Sequence, residues 1–246
     1  MFRNLCMLVL FSLLFCLTVS AQTADEIINK NLAALGGVEK IKALKTVKMT
    51  GKLVQAGQEF PLILQIKRPG SVRFELSIQG KSLVQGYDGS TGWAVSPFNG
   101  TDEPEKLSEE DTKDLKDRAD LDGPLVDYKA KGSAVELVGK DDVEGDQVYK
   151  LKLTEKEGKV SYIFIDAKSF LEVKSSDIIK RQGIEAEVEV YYSDYKAVNG
   201  VMLPHSFEGR AKGQPAYQIV IQKIETDVQM DDVLFKLPVK TQSPAK

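Results

Sequence analysis

Residues 60–98 read FPLILQIKRPGSVRFELSIQGKSLVQGYDGSTGWAVSPF, four short apolar runs separated by turn sequences. In the first two runs the apolar residues recur at every second position, which places one row of side chains on each face of a strand. The breaks favour tight reversals and contain Arg68-Pro69-Gly70, Gln79-Gly80-Lys81 and Tyr87-Asp88-Gly89. The stretch therefore predicts an antiparallel β-meander.

Strand-like runs bounded by turn residues continue along most of the chain. They cover residues 47–54, 134–138, 148–153, 160–165, 171–179, 186–195 and 217–224. With the meander they make about ten or eleven strands, and an antiparallel sheet of that size tends to curl. The predicted fold class is mainly β with a few helices, in an unclosed antiparallel barrel.

Two short helices are predicted before the first strand. Thr23 and Glu26 have the spacing of a capping box, and an apolar stripe near period 3.6 follows them. Gly36-Gly37 ends this helix, because glycine readily adopts the left-handed conformation. Residues 38–44 predict a second, shorter helix. Both have an apolar face that only the sheet is able to cover.

Residues 1–21 have the pattern of a cleavable signal peptide. Arg3 precedes an apolar run, and Val19-Ser20-Ala21 supplies small residues for cleavage after Ala21. A retained anchor is the alternative, although the run is short for a span of about 20 residues. Cleavage leaves a single domain over residues 22–240 and a disordered tail over 241–246. It also removes both cysteines, so that an exported chain without disulfides is expected.

The charged segment 99–123 interrupts the strands. Ser108-Glu109-Glu110-Asp111 resembles a helix start, with few apolar residues after it. One interpretation is a solvated surface helix. The other is a lid whose apolar end, at Leu121, Leu125 and Val126, covers an opening in the sheet. A charge run alone does not decide between them.

Composition and motifs give little support for catalysis or for metal or cofactor binding. The chain has a net charge of −3 and a single histidine, His205. A mildly acidic chain argues against nucleic-acid binding, and no phosphate-binding loop or nucleophile elbow is present. We therefore expect no catalytic residue, no metal site, no cofactor and no enzymatic activity.

A wide curled sheet encloses more space than its own side chains fill, unless it is plugged. Its apolar lining favours a hydrophobic guest such as an acyl chain. The candidate lining residues are Leu62, Leu64, Ile66, Phe74, Leu76, Trp93, Tyr162 and Phe164. The candidate lid residues are Ile28, Leu32, Leu35 and Leu121. The simpler interpretation is that all of these side chains pack the core.

Two stretches carry a resemblance to a known family. Arg68-Pro69 precedes the Phe74 strand, and Asp88-Gly89-x-x-Gly92-Trp93-x-x-x-Pro97-Phe98 follows it. The C-terminal segment reads DDVLFKLP over residues 231–238. In these motifs and in the order of its elements, the chain resembles the LolA-like family of periplasmic carriers that sort outer-membrane lipoproteins.

The resemblance implies an unclosed β-barrel with a helical lid over an apolar cavity, and a periplasmic location. It implies that the cavity binds the acyl chains of lipoproteins or other lipids, without covalent chemistry. It further implies a monomer that interacts with inner-membrane donor and outer-membrane acceptor proteins. Arg68 matches the family arginine that latches the lid through backbone carbonyls.

The tandem Gly36-Gly37, the charged insertion and the Tyr-rich segment 191–195 depart from the family pattern. Such a divergent branch is also compatible with other lipids or with an envelope sensor of the same fold. A secreted lipid hydrolase is a third, weaker alternative.

Overall fold

The computed structural model describes residues 22–98, 102–181 and 184–239. The expected signal peptide, with Cys6 and Cys16, and the expected tail 241–246 lie outside this range. Within it, no helix is both long enough and apolar enough to cross a membrane.

Three α-helices, fifteen strands and one 3-10 helix make up the described part of the chain. The helices are α1 (Ala24–Ala34), α2 (Val38–Ala43) and α3 (Glu109–Arg118), and the 3-10 helix is Asp232–Phe235. The strands are β1 (Thr46–Gln55), β2 (Gln58–Lys67), β3 (Ser71–Ile78), β4 (Lys81–Tyr87), β5 (Gly92–Val95), β6 (Glu105–Lys106), β7 (Ala134–Val143), β8 (Asp146–Thr154), β9 (Val160–Asp166), β10 (Glu172–Arg181), β11 (Ile184–Ser193), β12 (Lys196–Val198), β13 (Val201–Leu203), β14 (Ser206–Ala211) and β15 (Gln214–Thr226).

One antiparallel sheet of 13 strands organises the molecule, in the order β6-β5-β4-β3-β2-β1-β15-β14-β11-β10-β9-β8-β7. The short strands β12 and β13 pair separately. Strands β6 and β7 are the two ends of the order, so the sheet is not closed into a barrel. The predicted fold class is confirmed, while the strand count is higher than expected. Very short strands such as β6, with two residues, carry no alternation that a sequence pattern is able to reveal.

The N-terminal helix forms as its sequence predicts. The Thr23 side chain accepts a hydrogen bond from the Glu26 backbone N–H at 3.2 Å, and the Glu26 carboxylate accepts one from the Thr23 N–H at 3.3 Å. This reciprocal pair satisfies two donors that a helix start leaves free. Helix α2 also forms within the predicted segment.

The end of α1 lies close to the turn between β12 and β13. The Met202 N–H donates to the Leu35 carbonyl at 2.9 Å. Gly36 has φ of +115°, and a Cβ atom there would lie 2.2 Å from the Gly200 carbonyl oxygen. Both the backbone angle and the contact therefore require glycine at this position.

The main core lies on one face of the sheet, which we call the inner face. Its buried members come from α1, α2, the segment 119–133 and several strands, so that the helices cover part of the sheet directly. They include Ile27, Ile28, Leu32, Ile41, Leu44, Val47, Leu125, Val126, Leu151, Ile163 and Ile165. Burying these apolar surfaces is the dominant favourable contribution to the stability of the fold.

Helix α3 is a surface helix that packs on the sheet through a narrow apolar stripe. Ser108 caps it as the sequence suggests, and its side chain accepts from the Asp111 N–H at 3.1 Å. However, Leu115 and Ala119 are both buried, in a second cluster with Ile66 and Val72 on the inner face. The apolar end of the segment, Leu125 and Val126, enters the main core. These two are the few apolar positions that follow the helix start in the sequence, and the charges around them did not indicate that both are buried.

The opposite, outer face of the sheet is covered at one end by the C-terminal segment. Trp93 is 1% exposed and its indole N–H donates to the Phe235 carbonyl at 2.7 Å. Phe235 is buried as well. Across the ladder from Trp93 stands Gly86, where an added Cβ atom would lie 2.3 Å from the indole ring. Glycine at position 86 thus makes room for the ring.

Candidate functional site

Arg68 follows β2 directly and lies beneath the end of α2. Its Nε donates to the Leu44 carbonyl at 2.7 Å, and its Nη2 donates to the Ile41 carbonyl at 3.1 Å. Carbonyls in the last turn of a helix have no partner within the helix, so a guanidinium with five donors suits them. The contact that the resemblance implies for Arg68, with backbone carbonyls of a covering helix, is present in the structure.

The same guanidinium binds a second covering segment. Nη2 donates to Asp122 Oδ1 at 2.7 Å, and Nη1 donates to Asp122 Oδ2 at 3.1 Å. This two-point geometry is the strong form of an arginine–carboxylate pair. The hydrogen bonds from Arg68 hold the pKa of Asp122 below its ordinary value. One side chain at the sheet rim therefore ties α2 and the segment 119–133 together.

The candidate lid residues all lie over the inner face. Ile28 and Leu32 are buried in the main core, and Leu35 packs against it with partial exposure. Leu121 contacts both the main core and the second cluster, just beside Asp122. The four residues thus share the main core, and Leu121 is next in sequence to Asp122, the carboxylate partner of Arg68.

Five of the candidate lining residues share the inner face of β2 and β3. Leu62 stands opposite Leu76 and Leu64 opposite Phe74, while Ile66 continues the same row along β2. Leu62 and Ile66 are buried, whereas the other three keep part of their surface exposed. Partly buried apolar side chains continue this strip on β1, β14 and β15, at Met49, Leu53, Phe207 and Ile219.

Trp93 does not join this strip. Its neighbour Gly92 pairs with Tyr87, which faces α3 in the second cluster, so Trp93 points to the outer face. The apolar character of tryptophan predicted burial correctly, but not which face receives the ring. Its partner there is the C-terminal 3-10 helix.

Tyr162 and Phe164 also lie apart from the strip. Phe164 packs with Val143 and Val148 in a separate cluster, while the flanking Ile163 and Ile165 point into the main core. The run 160–165 is apolar on both faces, so its sequence alone does not tell the two faces apart.

Cationic side chains lie over the aromatic rings of this outer cluster. Lys150 Nζ is 5.2 Å from the centre of the Phe164 ring, and Lys174 Nζ is 4.9 Å from it. The Arg210 guanidinium lies 3.9 Å from the centre of the Tyr191 ring. These contacts mark a charged, polar surface rather than an apolar lining.

Two open clefts, of about 580 and 570 Å³, stand out in the part of the chain that the structure describes. The first is bounded by polar and charged residues of β11, β14 and the neighbouring turns, and the second by the turns at the ends of β2 and β3. Neither is lined by a candidate lid or lining residue.

His205 has a structural environment. It is 5% exposed, its Nδ1 lies 3.0 Å from the Leu203 carbonyl, and its own carbonyl accepts from the Ile221 N–H at 2.7 Å. Among residues 22–98, 102–181 and 184–239, no group of three or more His, Cys, Asp or Glu side chains is arranged to hold a metal ion.

Sequence reasoning missed a polar strip on the inner face of β10 and β11. Ser175 and Tyr192 share a hydrogen bond of 2.9 Å between their hydroxyls. Removal from water, and then the charge of Asp177, raise the pKa of Glu172 to about 8. The strands alternate plainly in sequence, but a glutamate at an inward position gives no signal that distinguishes it from an outward one.

Glu172→Gln is expected to stabilise the protein at alkaline pH. Because the folded-state pKa lies above the ordinary value of 4.5, the folded chain keeps a proton that the unfolded chain loses as the pH rises from 4.5 to about 8. Stability therefore falls over that range, and the glutamine variant removes the fall, by about 4 kcal/mol at about pH 8. Chemical denaturation at about pH 5 and about pH 8 measures the difference.

Glu157→Gln is the matched control, since Glu157 is exposed. It is expected to keep the wild-type dependence on pH. An equal effect of the two substitutions would show that Glu172 is no more protonated than a surface carboxylate.

Structural relatives give the same architecture. No protein-family model matches the sequence, and no match to a curated protein was found. Among solved structures, a LolA superfamily protein from Nitrosomonas europaea is similar at a TM-score of 0.57, with 14% identity over 88% of this chain and 98% of the other. A domain from Vibrio parahaemolyticus named for outer membrane lipoprotein sorting gives a TM-score of 0.57, with 11% identity over 86% and 97% of the two chains.

A DUF1329 family protein from Desulfovibrio piger is similar at a TM-score of 0.53, with 12% identity over 88% of this chain and 98% of the other. Sequence identities this low support a shared fold only. The family resemblance drawn from the sequence is therefore confirmed at the level of the fold, and the chain has the fold of the LolA superfamily at low sequence identity.

Proposed function

We propose that this protein is a periplasmic carrier that binds the acyl chains of lipoproteins, or other lipids, and hands them on without covalent chemistry. The observation that supports this proposal best is the Arg68 junction. One side chain ties two covering segments, α2 and 119–133, to the rim of the sheet. A junction of a few hydrogen bonds is able to open and close without unfolding the sheet.

The surface beneath those segments suits a hydrocarbon chain. Leu64, Phe74 and Leu76 are apolar and keep part of their surface exposed on the inner face. Each methylene group buried there contributes about 0.8 kcal/mol, so even part of an acyl chain gains several kcal/mol. That gain offsets the exposure of lid residues such as Leu32 and Leu121 when the segments move.

Transfer in such a carrier requires a donor and an acceptor. Lipid is hydrophobic and enters or leaves through the opened lid, so we propose that an inner-membrane donor and an outer-membrane acceptor protein are the partners of a monomer. The expected signal peptide supports this periplasmic role.

A specific observation also favours the second candidate, an envelope sensor or scaffold whose core is filled by its own side chains. Ile27, Leu151 and Ile165 in the main core have no exposed surface. Neither of the two open clefts touches a candidate lining residue. The two candidates differ in one measurable property, which is whether the folded chain takes up lipid.

Extraction of the purified protein with organic solvent, followed by mass spectrometry, tests the proposal together with uptake of a fluorescent fatty acid. We expect co-purified lipid or saturable uptake in the wild type, and uptake reduced about tenfold in Leu76→Gln, whose amide interrupts the apolar strip. Ile178→Gln is the matched control, because Ile178 is 61% exposed.

A folded protein with neither co-purified lipid nor uptake would contradict the carrier and favour the scaffold. Turnover of lipid esters by the purified chain would instead support the hydrolase.

A further inference from the structure

Helix α3 bridges two parts of the sheet that are distant in the strand order. At one end, Thr112 packs directly on Gly92 of β5, where an added Cβ atom would lie 2.4 Å from the Thr112 hydroxyl oxygen. On its other side, Lys113 lies 3.8 Å from Glu155 and Asp117 lies 3.9 Å from Lys159, both next to the turn between β8 and β9. The helix thus lies as a strap across the inner face.

Two opposing contributions act on this strap. Leu115 and Ala119 are each 2% exposed against the second cluster, which favours the closed position. Asp177 of β10 lies beside Ser161 on the inner face and disfavours the closed position of the strap. Among the described residues, its Oδ1 is a buried side-chain oxygen that receives no hydrogen bond.

Carboxylates of α3 and of the sheet interact electrostatically with Asp177. Burial raises the pKa of Asp177, and the charges of Asp117 and Asp114 on α3 raise it further, while Lys159 lowers it. Burial likewise raises the pKa of Asp117, with Glu155 and Asp114 acting in the same direction and Lys159 and Lys113 against it. On the sheet, burial and the charge of Asp177 also raise the pKa of Glu172 and the pKa of Tyr192. Of the charged groups on α3 and just before β9 that act on Asp177, two are carboxylates and one, Lys159, is a cation.

We propose that α3 is a pH-responsive strap, which lies closed when Asp177 is protonated and is released when Asp177 becomes charged opposite Asp117. In the released position the Asp177 carboxylate is hydrated and has ordinary acidity, whereas Asp117 is already 45% exposed in the closed position. Protons consequently favour the closed position, and rising pH favours release. The statement that the strap guards a lipid site rests on the proposed function, whereas the movement itself does not.

Hydrogen–deuterium exchange of α3 in the lipid-free protein, corrected for the chemical exchange rate, tests the movement. Between about pH 4.5 and about pH 8 we expect the opening equilibrium of residues 109–118 to increase roughly tenfold, because an ionised Asp177 carboxylate disfavours the closed position. Asp177→Asn is expected to keep the helix protected across the whole range.

Glu110→Gln is the matched control, because it removes the same charge from an exposed position on α3 and is expected to behave as wild type. Protection of α3 that does not change with pH in the wild type would overturn the proposal, as would equal effects of the two substitutions. Asp117→Asn removes the strap-side carboxylate and provides the same test if the Asp177 variant fails to fold.

Lipid uptake measured at the same pH values separates this proposal from the function. Release of α3 at high pH in a chain that binds no lipid would leave the strap intact and refute the carrier. Saturable lipid uptake with pH-independent protection of α3 would support the carrier and refute the strap.

Discussion

Trp93→Ala is expected to lower the free energy of unfolding by about 4 kcal/mol, because it removes the largest fully buried side chain of the outer face. The substitution leaves a cavity over Gly86, where the indole now lies. It also leaves the Phe235 carbonyl without the donor that binds it at 2.7 Å. Urea denaturation monitored by circular dichroism measures the loss.

Two further substitutions separate packing from hydrogen bonding at this place. Trp93→Phe keeps an aromatic ring but loses the indole donor, and is expected to cost about 2 kcal/mol. Val233→Ala in the same 3-10 helix changes a side chain that is 68% exposed, and is expected to cost little. If Trp93→Ala proved as mild as Val233→Ala, the C-terminal segment would not be part of the folding unit.

Arg68→Leu is expected to leave the sheet folded and to accelerate lipid release about tenfold, which corresponds to about 1.4 kcal/mol of lost lid stabilisation. The variant loses the donors to the Ile41 and Leu44 carbonyls and to both oxygens of Asp122. The surrounding apolar packing is kept. Stopped-flow release of a fluorescent fatty acid measures the rate, and hydrogen exchange of residues 119–133 reports the lid without any lipid.

Lys42→Leu provides the matched control. Lys42 and Asp127 form an ion pair between the same two segments, but both side chains are about half exposed, and such pairs contribute little. Arg68→Lys keeps the charge without the planar fork, and is expected to give an intermediate rate. Release rates equal in Arg68→Leu and Lys42→Leu would show that Arg68 is not a latch.

Much of the architecture was readable from local patterns. The period-two alternation at Leu62, Leu64 and Ile66 predicts a strand with one buried face, and the observed register places these residues opposite Leu76, Phe74 and Val72. Turn sequences supplied the hairpins of the meander. The capping box of α1 was equally readable, because it depends on residues only three positions apart.

The site was readable only in part. Arg68 was identified through a family motif, and its carbonyl partners confirm that it contacts a covering helix. Asp122 was not identified, because it lies 54 residues away from Arg68 in sequence and stands in an ordinary acidic turn. Asp117 and Asp177 were missed for the same reason, since their proximity arises only when α3 crosses the sheet.

The sequence alone determined the helices and most of the longer strands, because those preferences act between neighbours along the chain. Only the tertiary structure decided which face of each strand is the inner one, since alternation is symmetric between the two faces. That choice placed Trp93 and Phe164 on the outer face, buried Leu115 of a highly charged helix, and left Asp177 facing the carboxylates of α3. Burial of apolar surface over the whole sheet, rather than any local preference, decided which face became the inner one.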